Sequence, residues 1–137
     1  MMFSLFLEKG GITLTILEAI GRVNQSKPNT YSDVDKILWL STAEWNIKRD
    51  IVDTHEGANL VKFDGFNENT PTNTELIAPA PYDELYVRFL EAQIDYANGE
   101  IGKYNNAIAM YNEAMHSFRN WYNKEHLPLQ KNKMKYF

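Results

Sequence analysis

The sequence predicts a mainly α fold: a small four-helix bundle with a C-terminal αα-hairpin, a long loop or irregular β-hairpin between helices two and three, and an extended C-terminal arm. Three observations predict it. Apolar residues recur at helical spacing in four segments, a stretch rich in Pro, Gly, Asn and Thr interrupts them at 57–81, and residues 127–137 carry no helical stripe. With 137 residues, 44% hydrophobic and 23% charged, the chain fits one domain with a modest core. That domain is expected over 1–126, with 57–81 inserted in it and 127–137 as an arm.

After Gly10 and Gly11, Thr13 to Val23 places Leu14, Leu17 and Ile20 at helical spacing, with Ile16 and Val23 less regular. This predicts a short first helix. It should stop near Asn24, because Gln25 to Asn29 collects turn formers and Pro28 disfavours helical geometry before it. Ser32, three residues ahead of Asp35, opens a long second helix from Val34 to Val52 without Pro or Gly. Its apolar set, Val34, Ile37, Leu38, Leu40, Ile47 and Ile51 with Trp39 and Trp45, wraps more than one face. One side is expected on the core and the other against a second subunit.

Within Gly57 to Pro81, Leu60 to Phe63 and Thr74 to Ile77 are strand-like pieces around the polar run Asp64 to Asn73. Such an excursion is uncommon in a compact domain unless it makes contacts or is disordered. Its Phe63, Phe66, Asn67, Leu76 and Ile77 are candidates for partner binding, and a self-packed insertion is the alternative.

Pro79, Pro81 and Asp83 mark the start of a third helix reaching Ala97, with Tyr82, Leu85, Tyr86, Phe89, Ala92 and Tyr96 as its stripe. Asn98-Gly99 supplies the stop. The fourth helix, Glu100 to Lys124, has the cleanest period: Tyr104, Ala107, Ile108, Tyr111, Ala114, Met115, Phe118, Trp121 and Tyr122. The pair predicts an antiparallel αα-hairpin. Beyond it lie Leu127, Pro128 and Leu129, the lysines Lys131, Lys133 and Lys135, and Tyr136-Phe137. From Arg119 onward five basic residues meet one acidic, although the whole chain is at −4, so charge is segregated into an acidic body and a basic arm.

Composition excludes several classes. The charge balance does not fit a general polyanion binder, and the absence of cysteine removes disulfides, thiolate metal sites and cysteine nucleophiles. The apolar run Met1 to Leu7 is far short of the roughly 20 residues of a membrane span and lacks signal-peptide features. A soluble, unexported protein without membrane contact is expected. With three Trp, eight Tyr and seven Phe, some aromatic residues should meet partners, and Trp39, Trp45 and Arg119 are candidates for subunit contacts.

Glu113 and His116 have the Glu-x-x-His spacing of di-iron bundles, but such sites need the motif twice, and His55 and His126 have no Glu three residues ahead. Glu91 and Asp95 read as a solvated pair. Gly10-Gly11 lacks the rest of a nucleotide fingerprint, and no serine has nucleophile-elbow flanks. The expectation is therefore no catalytic residue, no metal, no cofactor and no enzymatic activity. Stacking of bases on the aromatic stripe of helix four is the weaker reading of residues whose spacing suits a core.

The run Leu76 to Tyr86 with its Pro79-Ala80-Pro81-Tyr82-Asp83, then Ala92 to Asp95, Tyr104-Asn105-Asn106 and Trp121-Tyr122, resembles the tailed-bacteriophage head–tail adaptor (connector) proteins. The resemblance covers residues from about 12 to 126; neither Met1 to Leu7 nor the Lys-rich tail belongs to the pattern. It implies a virion structural protein of the neck, assembled from the host cytoplasm as a ring of about twelve copies. Such a ring lies beneath the portal protein, extends the DNA channel without binding DNA specifically, and presents a surface to stopper or tail-completion proteins. By the same resemblance, Leu127 to Phe137 is the portal contact, and the 57–81 loop faces the next neck component or the lumen. A rival reading is a small DNA-binding packaging protein like a terminase small subunit, its tail lysines holding DNA.

Overall fold

Thr15 decides where the first helix begins. Its hydroxyl accepts from the Glu18 N–H at 3.2 Å while the Glu18 carboxylate accepts from the Thr15 N–H at 3.0 Å, a reciprocal cap that opens α1 (Ile16–Ser26). The computed structural model describes residues 12–129, and the segment ahead of this cap is extended rather than helical. The expected helical start at Thr13 is thus corrected: Thr13–Thr15 forms β1, paired antiparallel with β2 (Glu75–Pro79), Thr13 opposite Pro79 and Thr15 opposite Glu75. The pairing continues into the first turn of α1, where the N–H groups of Ile16 and Leu17 donate to the carbonyls of Thr74 and Thr72, each at 3.0 Å. Donors with no partner inside the helix are satisfied there by a distant segment.

Ser32 caps α2 (Asp33–Asp50) by accepting from the Asp35 N–H at 3.1 Å. The helix ends two residues before Val52, which starts a 3-10 turn at Val52–Thr54. The strand-like reading of Leu60 to Phe63 is also corrected. Ala58–Leu60 is a second 3-10 turn, no strand follows it, and β2 pairs with distant β1 instead of closing a hairpin within 57–81. Phe63 and Phe66 turn inward toward α2, which a flat strand pair could not arrange. Glu84–Ala97 (α3) ends where expected but starts two residues after Tyr82, which the spacing places on its stripe. Ile101–Glu125 (α4) lies within a residue of its expected limits, and Gly99 at φ 75° separates the two helices.

The described residues form a mainly helical fold with four α-helices and a small two-stranded antiparallel sheet. The ring pairs Tyr82 with Trp121, Phe89 with Tyr111, and Tyr96 with Tyr104 descend one helix as they ascend the other, so α3 and α4 run antiparallel. Contacts between α3 and α4 are the most extensive of any two elements. In the core, Leu85, Tyr86, Leu90 and Ile94 of α3 meet Leu40, Ala43 and Ile47 of α2 and Ile16, Ile20 and Val23 of α1. Leu76 and Ala78 of β2 close it.

The arm does not begin as a free extension. The Glu56 N–H donates to the Leu127 carbonyl at 2.8 Å and the Leu129 N–H to the Thr54 carbonyl at 3.0 Å, which ties Leu127 to Leu129 antiparallel against 54–56. The arm expected from residue 127 therefore starts as a segment paired with the body of the fold. Lys131, Lys133, Lys135, Tyr136 and Phe137 lie outside the described residues, as do Met1 to Leu7 and Gly10-Gly11.

Candidate functional site

Helix α2 is two-sided, and its outward face is the candidate interaction site. Leu40, Ala43 and Ile47 are buried on one side, whereas Val34, Leu38 and Trp45 lie together on the other, 40–46% exposed. Asp33 and Asp35 stand exposed in the first turn of α2, on either side of Val34. Trp45 is flanked by the 57–74 segment: Phe63 meets its indole edge-on at 4.8 Å, and Phe66 meets Phe63 at 5.0 Å. Gly65, at φ 95°, brings the backbone against the ring, and the Phe66 N–H donates to the Ser41 hydroxyl at 2.9 Å.

Beneath this face lies a polar group that positions the helix. Glu44, 1% exposed, accepts from the Tyr86 hydroxyl through Oε1 and from the Ile77 N–H through Oε2 at 2.9 Å. The Tyr86 hydroxyl also accepts from the Ala78 N–H at 2.8 Å. Burial, reinforced by the Glu44 charge, holds that hydroxyl well above the usual tyrosine range, so it stays a donor. One carboxylate thereby locks β2 to both α2 and α3.

The residues singled out in the sequence divide between this face, the core and the arm. Trp45 is on the outward face, with Phe63 and Phe66 half-buried beside it and Asn67 exposed beyond them. Leu76 is corrected: expected on a partner-binding loop, it is fully buried in β2, and Ile77 packs half-buried on the same core. Trp39 is half-buried with its ring edge-on to Tyr31 at 5.7 Å. Arg119 is half-buried on α4, where its charge acts on the Tyr111 hydroxyl that accepts from the Asn46 side chain at 3.2 Å. Leu127 and Leu129 expose their side chains, 63% and 43%, while their backbones pair. Glu113 and His116 are both exposed on α4, and no group of three or more metal-ligating side chains occurs among the described residues.

Sequence reasoning missed Glu44 and His55. Glu44 had a signal, since it falls between Leu40 and Ile47 on the buried side of an otherwise apolar face. His55 is 4% exposed, with Nδ1 2.6 Å from the Ile51 carbonyl and Nε2 2.6 Å from the Asn123 side-chain oxygen. Its ring meets Tyr122 edge-on at 4.9 Å, and Tyr122 stacks on His126 at 3.9 Å. This cluster backs the 54–56 segment that receives the arm.

Two hollows flank Pro81. One of about 330 Å³ is lined by Tyr82, Arg88, Met110 and Glu113, the other of about 620 Å³ by Arg22, Ser26, Asp83 and Val87. No helix among the described residues is long and apolar enough to cross a membrane. No protein-family model matches the chain, and no curated protein or solved structure matches it.

Proposed function

We propose that the chain is a virion structural protein, a head–tail adaptor whose copies form a ring of about twelve beneath a bacteriophage portal. In this reading the ring extends the DNA channel, joins the portal to a stopper or tail-completion protein, and lets the genome pass without specific binding. The protein then acts in the virion neck after folding in the host cytoplasm, and it has no active site. The finer architecture, a four-helix bundle with a C-terminal arm reaching the portal, belongs to the same reading.

The observation that carries it is the two-sidedness of α2. A heterologous ring contact needs two unlike patches on each subunit, and Val34, Leu38 and Trp45 offer an apolar one set apart from the core. The exposed side chains of Leu127 and Leu129 open the arm that reaches the portal in this reading. Co-expression with the portal protein of the same genome, purification at high salt and averaged electron micrographs test the reading. A stacked double ring is the expected result. A portal that purifies alone, beside a small protein that retards DNA at low salt, would replace the adaptor with a terminase-small-subunit-like packaging protein.

A further inference from the structure

The outward face of α2 has an apolar centre, carboxylates at its N-terminal end and beside Trp45, and, one turn past Trp45, Arg49 paired with Asp50. Val34, Leu38 and Trp45 line up opposite Leu40, Ala43 and Ile47 and are 40%, 46% and 41% exposed. Asp33 and Asp35 are exposed at one end, and Asp64 is exposed beside Gly65, at the residue whose backbone meets Trp45. No ion pair among the described residues takes up Asp33, Asp35 or Asp64.

The chain itself carries a segment of matching chemistry, delivered close by. Leu129 is pinned to Thr54, four residues past the last residue of α2, so the last described residue lies near one end of the helix. Residues 130–137 read Gln-Lys-Asn-Lys-Met-Lys-Tyr-Phe. In an extended chain, successive side chains point to opposite sides, which separates Lys131, Lys133 and Lys135 from Met134 and Tyr136. Eight extended residues reach at most about 26–29 Å. The 18 residues of α2 span about 27 Å, so the whole stripe lies within reach.

We propose that the outward face of α2 is the docking surface for the chain's own C-terminal segment, residues 130–137. Met134 and Tyr136 seat beside Trp45 and Leu38, while the lysines meet Asp33, Asp35 and Asp64. The inference assigns to the tail the same face that the ring reading gives to a neighbouring subunit, so in that reading the tail leaves the face before the ring forms. It gives the arm a stored position from which a tighter partner must displace it.

The chain contains no cysteine, so a two-cysteine variant reports a single pair. Full-length protein carrying Leu38→Cys with Tyr136→Cys, oxidised mildly and run on non-reducing gels with peptide mapping, should form several-fold more intramolecular disulfide than a control. The control pairs Tyr136→Cys with Asn112→Cys on the exposed side of α4. Adding Asp33→Asn and Asp35→Asn, or raising the salt, should bring the yield down toward that control. Equal yields would overturn the proposal. A disulfide formed mainly between chains would also overturn it, assigning the face to the tail of a second copy. A measurement without new cysteines is quenching of tryptophan by neutral acrylamide in a variant with Lys131, Lys133 and Lys135 each changed to Glu. Quenching should rise as Trp45 is uncovered, and unchanged quenching would refute the docking.

Discussion

Tyr86 and Glu44 meet inside the core, the phenol donating to one carboxylate oxygen while accepting from the Ala78 N–H at 2.8 Å. The other carboxylate oxygen accepts from the Ile77 N–H at 2.9 Å. Two side chains on different helices thus satisfy two consecutive backbone donors of β2 that the two-stranded sheet leaves over. The outward face of α2 depends on this, because the same carboxylate that holds β2 fixes how α2 is rotated about its axis.

Tyr86→Phe keeps the ring and its burial but removes one donor and one acceptor. It leaves the Ala78 N–H without its phenolic acceptor and Glu44 with one bond fewer, at an expected cost of about 2–4 kcal/mol. Urea unfolding measures it. Glu44→Leu combined with Tyr86→Phe should cost less than the sum of the two single changes, because the buried charge is gone along with its partner. A Tyr86→Phe effect under about 0.5 kcal/mol would show that water or another group takes over the hydroxyl's bonds.

Two truncations should separate the anchor of the arm from the rest of it. Ending the chain after His126 removes the bonds from the Glu56 N–H to Leu127 and from Leu129 to Thr54, whereas ending it after Leu129 keeps both. The shorter protein should be less stable by about 1–3 kcal/mol, the net worth of two backbone hydrogen bonds. Thermal unfolding of the two proteins side by side gives the difference. Equal midpoints would mean that the pairing contributes nothing to the fold.

The helices were legible because each announces itself locally. The period of Tyr111, Met115, Phe118 and Tyr122 and the stop at Asn98-Gly99 place both ends of α4 and the end of α3 to within a residue. What pairs at long range was not legible: Thr13 to Thr15 has apolar spacing that suits a helix, and only its partner sixty-odd residues away makes it a strand. The same holds for Leu76, whose neighbours read as loop while tertiary packing buries it. At the candidate site, Trp45 and the double-faced period of α2 were visible. The Phe63 and Phe66 contacts were not, since Gly65 sets them through a left-handed turn that spacing does not encode.

Asp83 should make the protein's stability respond to acid in an unusual direction. The residue is 7% exposed, and its nearest cation is the Arg22 guanidinium at 3.9 Å, so burial pushes the carboxyl above its ordinary value with Arg22 opposing. A raised value means that the folded state binds this proton more tightly than the unfolded chain. The stabilisation is full below the unfolded pKa, about 3.9, and is lost as pH rises through the higher folded value. Asp83→Asn imitates the protonated form at every pH. It should therefore raise the urea midpoint at neutral pH and lose that advantage on acidification below the ordinary aspartate range. A variant less stable than the parent at neutral pH would show that the Arg22 contact outweighs burial.

Gly65 and Gly99 offer a comparison in which backbone strain and contact with a neighbouring ring come apart. Both hold positive φ, 95° and 75°, so alanine at either should cost about 1–2 kcal/mol from conformation alone. At Gly99 a Cβ meets nothing within 4 Å, but at Gly65 it would lie 3.4 Å from Trp45 Nε1 and 3.6 Å from the Ser41 hydroxyl. These are ordinary van der Waals distances, so Gly65→Ala should cost about as much as Gly99→Ala, but it should also shift tryptophan emission, because the added methyl lies against the Trp45 indole. Gly99→Ala should leave emission unchanged while lowering stability. If the Gly65→Ala spectrum matches the parent's, the 63–66 turn does not lie against Trp45, and the outward face of α2 is not shaped by it.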